Sequence, residues 1–248
     1  MSNVCLITPT GGRPEAFALC EKWMSRQTLR PSRWIVVDDC DPPTRCTLSQ
    51  EVIRPKVLWR PGDNTQARNL LLALNRIRDL WAPGAVLLVE DDDYYAPGYI
   101  QNMVGWLQQA PLVGESHARY YNVTERAYFT CFNHSHSALA HIGFRTTLLG
   151  EIVGVVSQNA CKMIDMHIWC DTRTKGKLFP REQGPRLSWV GMKGLPGRPG
   201  IGGGHKEIWR APHFGNPPWV DDPNLAALRS WIGGDAEQYA RFGRLHTT

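Results

Sequence analysis

Four consecutive acids, Glu90, Asp91, Asp92 and Asp93, stand directly after the apolar run Ala85–Val89 and before a segment rich in aromatics with a Pro97-Gly98 turn. An unbroken apolar run bounded by turn residues reads as a strand buried on both faces, as in a parallel sheet. Carboxylates crowded at such a strand end repel one another strongly at short range. A divalent cation would relieve that repulsion. The alternative is a solvated turn that caps the helix beginning near Pro97. Ligand sites of open α/β sheets lie at the carboxyl ends of strands, where these acids stand.

Other residues with chemical potential also follow apolar runs. Thr8, Pro9, Thr10, Gly11, Gly12 and Arg13 close the run that begins at Val4. A glycine-rich loop between strand and helix exposes backbone N–H groups and lets a ligand approach closely. It is neither a Walker loop nor a dinucleotide fingerprint, because the glycine and lysine spacings differ. Asp38 and Asp39 follow Arg33–Val37. They lack the central glycine and terminal glutamate of a calcium loop, so hydrogen bonding to a base or ribose is the expected work. Arg68 lies in the first turn of a helix opened by Asn64 and can reach a phosphate or a carboxylate of the same crevice. Asp165 is set among Met163, Ile164, Met166 and Ile168. Desolvation there would raise its pKa into the range of a general base. The alternative is an Asp that caps its helix or pairs with Arg173 or Lys175, and Asp171 is the reserve base. His134 and His136 share one side of an extended segment, and without a third ligand they read as surface residues.

The elements that must position these groups are legible in part. Val4–Thr8, Arg33–Val37, Val57–Trp59 and Ala85–Val89 read as strands, and residues 16–27 and 64–79 as helices. Pro14 suits a first helical turn, and Leu70, Leu71, Leu74 and Ile77 form an apolar stripe. Strands alternating with helices predict a mostly parallel sheet covered by helices. Residues 120–123 and 127–132 read as a hairpin turning at Thr124, Glu125 and Arg126, and residues 161–169 as an amphipathic helix. The stretch from Val190 to Lys206 imitates collagen triplets, but a few triplets in one chain form no triple helix. It is expected to be a mobile lid, with glycine hinges and Lys193, Arg198 and Lys206 offering charge to a diphosphate. From Asp221 onward, amphipathic helices without evident chemistry are expected.

The 248 residues contain no linker or low-complexity tract and carry a net charge of +5. Basic residues concentrate between Arg173 and Arg210, including Arg181, Arg186 and Lys206. That arrangement suits an anionic ligand held through a metal, or a polyanionic partner. The seven cysteines are odd in number and include no Cys-x-x-Cys pair, so reduced thiols are expected in place of a disulfide framework or a zinc site. No signal peptide and no membrane-length apolar run is read, so a soluble cytoplasmic protein is expected.

The segments Leu6–Pro14, Ile35–Asp39, Ala67–Ala73 and Leu88–Ile100, in that order and spacing, resemble the nucleotide-sugar half of a GT-A glycosyltransferase of the family-two type. The resemblance implies an α/β, Rossmann-like single domain. Residues 1–110 would bind the nucleotide-sugar, and residues 111–248 would bind the acceptor and carry the lid and C-terminal helices. Thr8, Pro9, Thr10 and Arg13, with Asp38 or Asp39, would hold the nucleoside, and Arg68 the diphosphate side. The acidic run would be the DxD motif. One register makes Glu90 its first position and Asp92 the metal ligand; the other reads Asp91, Asp92 and Asp93. A glutamate in first place departs from the usual aspartate. The cofactor would be Mn2+ or Mg2+, with His205 completing its coordination and His213 competing for that role. Asp165 would deprotonate the acceptor hydroxyl, giving inversion; a metal site completed by the late histidine would allow retention. The basic stretch extends the expectation to a polyanionic acceptor, such as a hydroxymethylated pyrimidine in DNA. A sugar nucleotidyltransferase, a glycoside hydrolase and a non-enzymatic nucleic-acid-binding protein are the rival readings.

Overall fold

Alternate residues of the apolar runs face opposite sides of one sheet, which is why those runs are unbroken. Val4, Leu6, Val36 and Leu87 pack on one side with Phe17, Trp23, Tyr99 and Met103. Cys5, Ile7, Ile35, Val37, Val86 and Leu88 pack on the other with Leu70, Leu74, Ile77, Ile152 and Val156. The computed structural model describes residues 3–79, 84–159, 163–180, 188–200, 204–205, 207–213 and 216–243.

The strands are β1 (Val4–Thr10), β2 (Arg33–Asp38), β3 (Glu51–Ile53), β4 (Ala85–Leu88), β5 (Tyr94–Tyr95), β6 (Leu112–Glu115), β7 (His117–Asn122), β8 (Ala127–Phe132), β9 (Gly143–Arg145), β10 (Lys177–Phe179), β11 (Trp189–Lys193) and β12 (Val220–Asp221). The helices are α1 (Pro14–Ser25), α2 (Gln66–Asp79), α3 (Tyr99–Leu107), α4 (Leu149–Gln158), α5 (Ile164–Cys170), α6 (Ala226–Ile232) and α7 (Glu237–Ala240). A seven-stranded sheet runs β10-β6-β9-β4-β1-β2-β3, parallel except at β9. A five-stranded sheet runs β12-β8-β7-β11-β5. Strands from both sides of residue 110 enter each sheet.

Register decides what meets at the sheet edge. Thr10 lies opposite Asp38, and Ile7 opposite Leu88. The chain leaving β1, β2 and β4 therefore opens at one level, with Gly11–Arg13, Asp39 and the acidic run side by side. The acids bridge the two sheets: β4 precedes them in the first, and β5 follows them in the second, where Tyr95 pairs with Trp189.

Three expectations change. The third strand is Glu51–Ile53, not Val57–Trp59. Glu51 is held there by Arg33 and Arg76, while the Trp59 amide turns back to donate to the Asp39 carbonyl at 2.8 Å. The start of the expected lid is the buried interior strand β11, paired on both sides by β5 and β7, so only the residues after Lys193 form a covering strap. The helix expected from Cys161 begins at Ile164; Cys161 and Lys162 lie outside the described residues. The hairpin of β7 and β8 forms as expected, and the six described cysteines are free thiols.

Candidate functional site

The acidic run is folded back on itself by Tyr95, whose buried hydroxyl accepts the Glu90 amide at 2.7 Å. Glu90, Asp92 and Asp93 each place a carboxylate oxygen within 4.8 Å of the other two. Asp91 turns away from them. It accepts the Thr10 hydroxyl at 2.6 Å and pairs with Arg13 Nη2 at 2.6 Å. The same guanidinium reaches Asp92 through Nη1 at 2.5 Å. Asp93 is anchored to β11, accepting Trp189 Nε1–H at 2.8 Å and the Met192 amide at 2.9 Å. Gln66, at the start of α2, donates to Glu90 Oε1 at 2.8 Å.

Burial governs the electrostatics here, since it penalises the charged form of each acid. It pushes Glu90 up to about 7, with Asp92 and Asp165 adding to the rise and Lys193 and Arg13 opposing it. It pushes Asp91 up to about 6 against Arg13, and Asp93 well above the usual range against Lys193. At Asp92, burial is outweighed by Arg13, Lys193 and His205, which hold the carboxyl below the usual range. The Lys193 ammonium is raised against its own burial by Asp93, Asp92 and Glu90, and it lies 5.4 Å over the Tyr120 ring. Were all four acids ionised, they would outnumber the two cations beside them, half-buried Arg13 and buried Lys193, an excess of negative charge that the raised carboxyl pKa values reflect and that a bound cation would relieve. Three converging carboxylates with that excess form an oxygen donor set suited to a hard divalent cation such as Mg2+ or Mn2+. Among the described residues no other group of acids, histidines and cysteines converges in this way. His205 lies outside the three-acid set, within electrostatic reach of Asp92, and burial with Lys193 pushes its imidazole down to about 3.

The nucleotide side is built on β1, β2 and α2. The Thr8 hydroxyl faces the core and accepts Trp34 Nε1–H at 2.9 Å, while Pro9 lies opposite Val37 in the sheet. Asp38 organises the following loop, accepting the Thr44 amide at 2.7 Å and Arg54 Nη1 at 2.6 Å. Asp39 gathers Thr65 Oγ1 at 2.5 Å, Asn69 Nδ2 at 2.8 Å and Arg68 Nη2 at 3.1 Å, all on Oδ2. Arg198 Nη1 takes Asp39 Oδ1 at 2.8 Å. Thr65, Trp59, Gln66 and Asn69 were not singled out in the sequence. Thr65 and Asn69 lie four residues apart and so share the helix face that looks at Asp39, a spacing that marks them. Trp59 carried no such mark.

On the opposite side, Asp165 lies in the first turn of α5, where the nearby amides of Met166 and Asp165 favour its charged form. Burial raises its pKa, with those amides, His136 and Lys193 opposing. Asp165 is therefore a desolvated acid within electrostatic reach of Glu90 and does not cap its helix, whose N-cap position is Met163 with no side-chain cap hydrogen bond. Asp171 pairs with His167 at 2.8 Å at the far end of that short helix. His134 stacks on the exposed Phe132, and His213 packs against Trp209. Among the described residues, the basic stretch does not form one face. Lys193 and Arg198 turn into the site, Arg210 pairs with Asp221, and Lys177 donates to Gln109 at 2.9 Å. Arg181, Arg186 and Lys206 lie outside the described residues. No helix among the described residues is long and apolar enough to cross a membrane.

No protein-family model and no curated protein matches this sequence. Among solved structures, the chain is similar to TarS of S. aureus, with a TM-score of 0.50 at 13% identity over 77% of this chain and 36% of that one. Against TarS 1–349 the TM-score is 0.53 at 13% identity, covering 77% of this chain and 60% of that one. Against TarS 1–349 in complex with UDP it is 0.50 at 12% identity, again over 77% and 60%. The chain therefore spans between 36% and 60% of the length of these similar structures. At such identities the likeness is one of architecture, and the architecture is the GT-A fold: a mostly parallel central sheet covered by helices.

Proposed function

We propose that the chain is a metal-dependent glycosyltransferase that moves a sugar from a nucleotide-diphospho-sugar to a hydroxyl acceptor. The observation that carries this reading is the convergence of Glu90, Asp92 and Asp93 at the carboxyl end of β4, beside the half-buried Arg13 and the buried Lys193. The GT-A fold and the complex of TarS 1–349 with UDP support a nucleotide donor.

Asp92, the acid most readily ionised, would hold Mn2+ or Mg2+ together with Glu90 or Asp93. When bound, such a cation supplies charge neutralisation for a departing nucleoside diphosphate. The engagement of Asp91 by Thr10 and Arg13 favours the register in which Glu90 and Asp92 are the motif positions. Arg13 keeps Asp91 and Asp92 apart from simple mutual repulsion and fixes their direction. Lys193 shares the load of the diphosphate from the β11 side. The strap after Lys193 is tied to the loop at Gly12 by the Arg198 amide, which donates to the Gly12 carbonyl at 2.9 Å. Asp165 would take the proton of the acceptor hydroxyl as its oxygen attacks the anomeric carbon, which gives inversion. A coordinating His205 would instead favour the retaining course. A polyanionic acceptor, such as a hydroxymethylated pyrimidine in DNA, is the finer reading, and it requires acceptor binding to weaken steeply with salt.

The test is a thermal-shift screen of UDP-, GDP-, CDP- and dTDP-sugars with and without Mn2+. A ligand that binds the native state raises the melting temperature. Stabilisation by at least one donor only in the presence of metal is expected, and its absence for every donor overturns the proposal.

A further inference from the structure

Two acceptor atoms, one on the residue after β2 and one on the residue before α2, face the strap, and both are engaged by a single planar group of the chain itself. Asp39 Oδ2 is filled by Thr65, Asn69 and Arg68, which leaves Oδ1 to face outward. The Thr65 hydroxyl donates its proton to Asp39, so toward the strap it offers only lone pairs. The Arg198 guanidinium meets this pair with two neighbouring N–H groups, at 2.8 Å to Asp39 Oδ1 and 2.7 Å to Thr65 Oγ1. It also lies 4.7 Å over the ring of Trp59. Trp59 is held beside Asp39 by its amide on the Asp39 carbonyl at 2.8 Å, and its indole N–H reaches the Asp63 carbonyl at 3.3 Å.

The loop above is shaped to leave this approach open. A Cβ at Gly11 would stand 2.5 Å from Asp39 Oδ1, and one at Gly12 would stand 3.3 Å from Arg198 Cβ. The strap closes on the same loop: the Arg198 amide donates to the Gly12 carbonyl at 2.9 Å, and a Cβ at Gly197 would meet that carbonyl at 2.3 Å.

A flat group with two adjacent N–H donors, seated on an indole, has the outline of a stacked nucleobase. We infer that this pocket takes a base presenting two neighbouring N–H donors, namely guanine, and that Arg198 is its internal stand-in until the nucleotide enters. The inference rests on reading the cleft as a nucleotide-sugar site. Guanine offers its ring N1–H and its exocyclic amine side by side, which matches Asp39 Oδ1 and Thr65 Oγ1. Uracil and thymine place one N–H between two carbonyls, so a carbonyl would face a lone pair. Cytosine and adenine pair one amine with a ring-nitrogen acceptor, which leaves the same mismatch. A site built to bond two donors rejects analogues that lack one, because its buried acceptor is left unpaired.

The experiment is calorimetric titration of the intact chain with GDP, inosine diphosphate, UDP and CDP, each with Mn2+. GDP is expected to bind tightest. Inosine diphosphate, the same ring system without the exocyclic amine, should bind at least about tenfold more weakly. UDP or CDP binding as tightly as GDP, or inosine diphosphate matching GDP, overturns the inference. Arg198→Ala should tighten GDP binding by removing the competitor; weaker or equal binding by that variant overturns the stand-in role. If none of the four binds with Mn2+, the donor-site reading fails and takes the inference with it. If UDP or CDP binds and GDP does not, the inference alone fails.

Discussion

The indole of Trp189 donates to Asp93 Oδ2 at 2.8 Å, tying the acidic run to a strand 96 residues further along the chain. Asp93 is fully buried, and the Met192 amide occupies its other oxygen. Removing one donor leaves a buried carboxylate oxygen short of a partner. Trp189→Phe keeps the aromatic packing against Tyr120 and His141 and deletes only that bond. The variant should lose about 2 kcal/mol of stability, a fall in melting temperature of about 4–8 °C for a chain of this size. Scanning calorimetry reads it, and an unchanged transition would show that the bond carries no net stability.

Gly197 has φ +103 and sits where a Cβ would lie 2.3 Å from the Gly12 carbonyl oxygen. Alanine there meets both a backbone conformation that L-residues rarely adopt and a clash with main chain that has no flexible end to move. Gly197→Ala should therefore release the strap from the loop. Limited proteolysis should find new cleavage within residues 194–200, with the core sheet still protected. An unaltered digestion pattern would contradict the latch.

Asp92 and Asp165 separate binding from chemistry. Asp92→Ala should abolish the Mn2+-dependent rise in melting temperature produced by the donor. Asp165→Ala should retain that rise and lose about 10²–10⁴-fold in turnover, the usual size of a general-base contribution. Normal turnover by Asp165→Ala would remove it from the mechanism.

His141 makes stability depend on pH. Its ring is buried between Tyr99, Trp106 and Trp189, with Nδ1 3.3 Å from Glu115 and Nε2 3.3 Å from the Ser188 hydroxyl. Burial pushes its pKa down to about 3 from an ordinary 6.5, so the folded chain keeps the ring neutral. The unfolded chain binds a proton that the folded chain refuses between those two values. The contribution is therefore complete above pH 6.5 and is lost as pH falls toward 3, at about 1.4 kcal/mol per pH unit within that window. Denaturant titrations at pH 7 and pH 5 should show a smaller loss of stability in His141→Gln than in the parent chain. Equal losses would mean that another group sets the acid sensitivity.

Much of the architecture is written locally. The runs at Val4, Arg33 and Ala85 are apolar at every position because both faces are covered, and that requirement is visible in the residues themselves. The placement of Gly11–Arg13, Asp39 and the acidic run at strand ends follows from the same pattern, since polar residues begin where burial stops. Val57–Trp59 departs from that pattern: a short apolar segment carries no periodicity that separates a strand from a loop, and in the loop Val57 is exposed. Trp59 is apolar because Arg198 lies on it, a contact between residues 139 positions apart by their numbers (198 minus 59).

By itself, then, the sequence determined that a mostly parallel sheet would present acids, glycines and arginines at one edge, because burial and period are properties of neighbouring residues. Which atoms those groups touch was decided only by the tertiary structure. Arg13 between Asp91 and Asp92, Asp93 on β11, and Arg198 in the cradle of Asp39 and Thr65 are all pairings set by strand register and loop closure. Such pairings depend on distances between segments remote in the chain, and no local pattern encodes them.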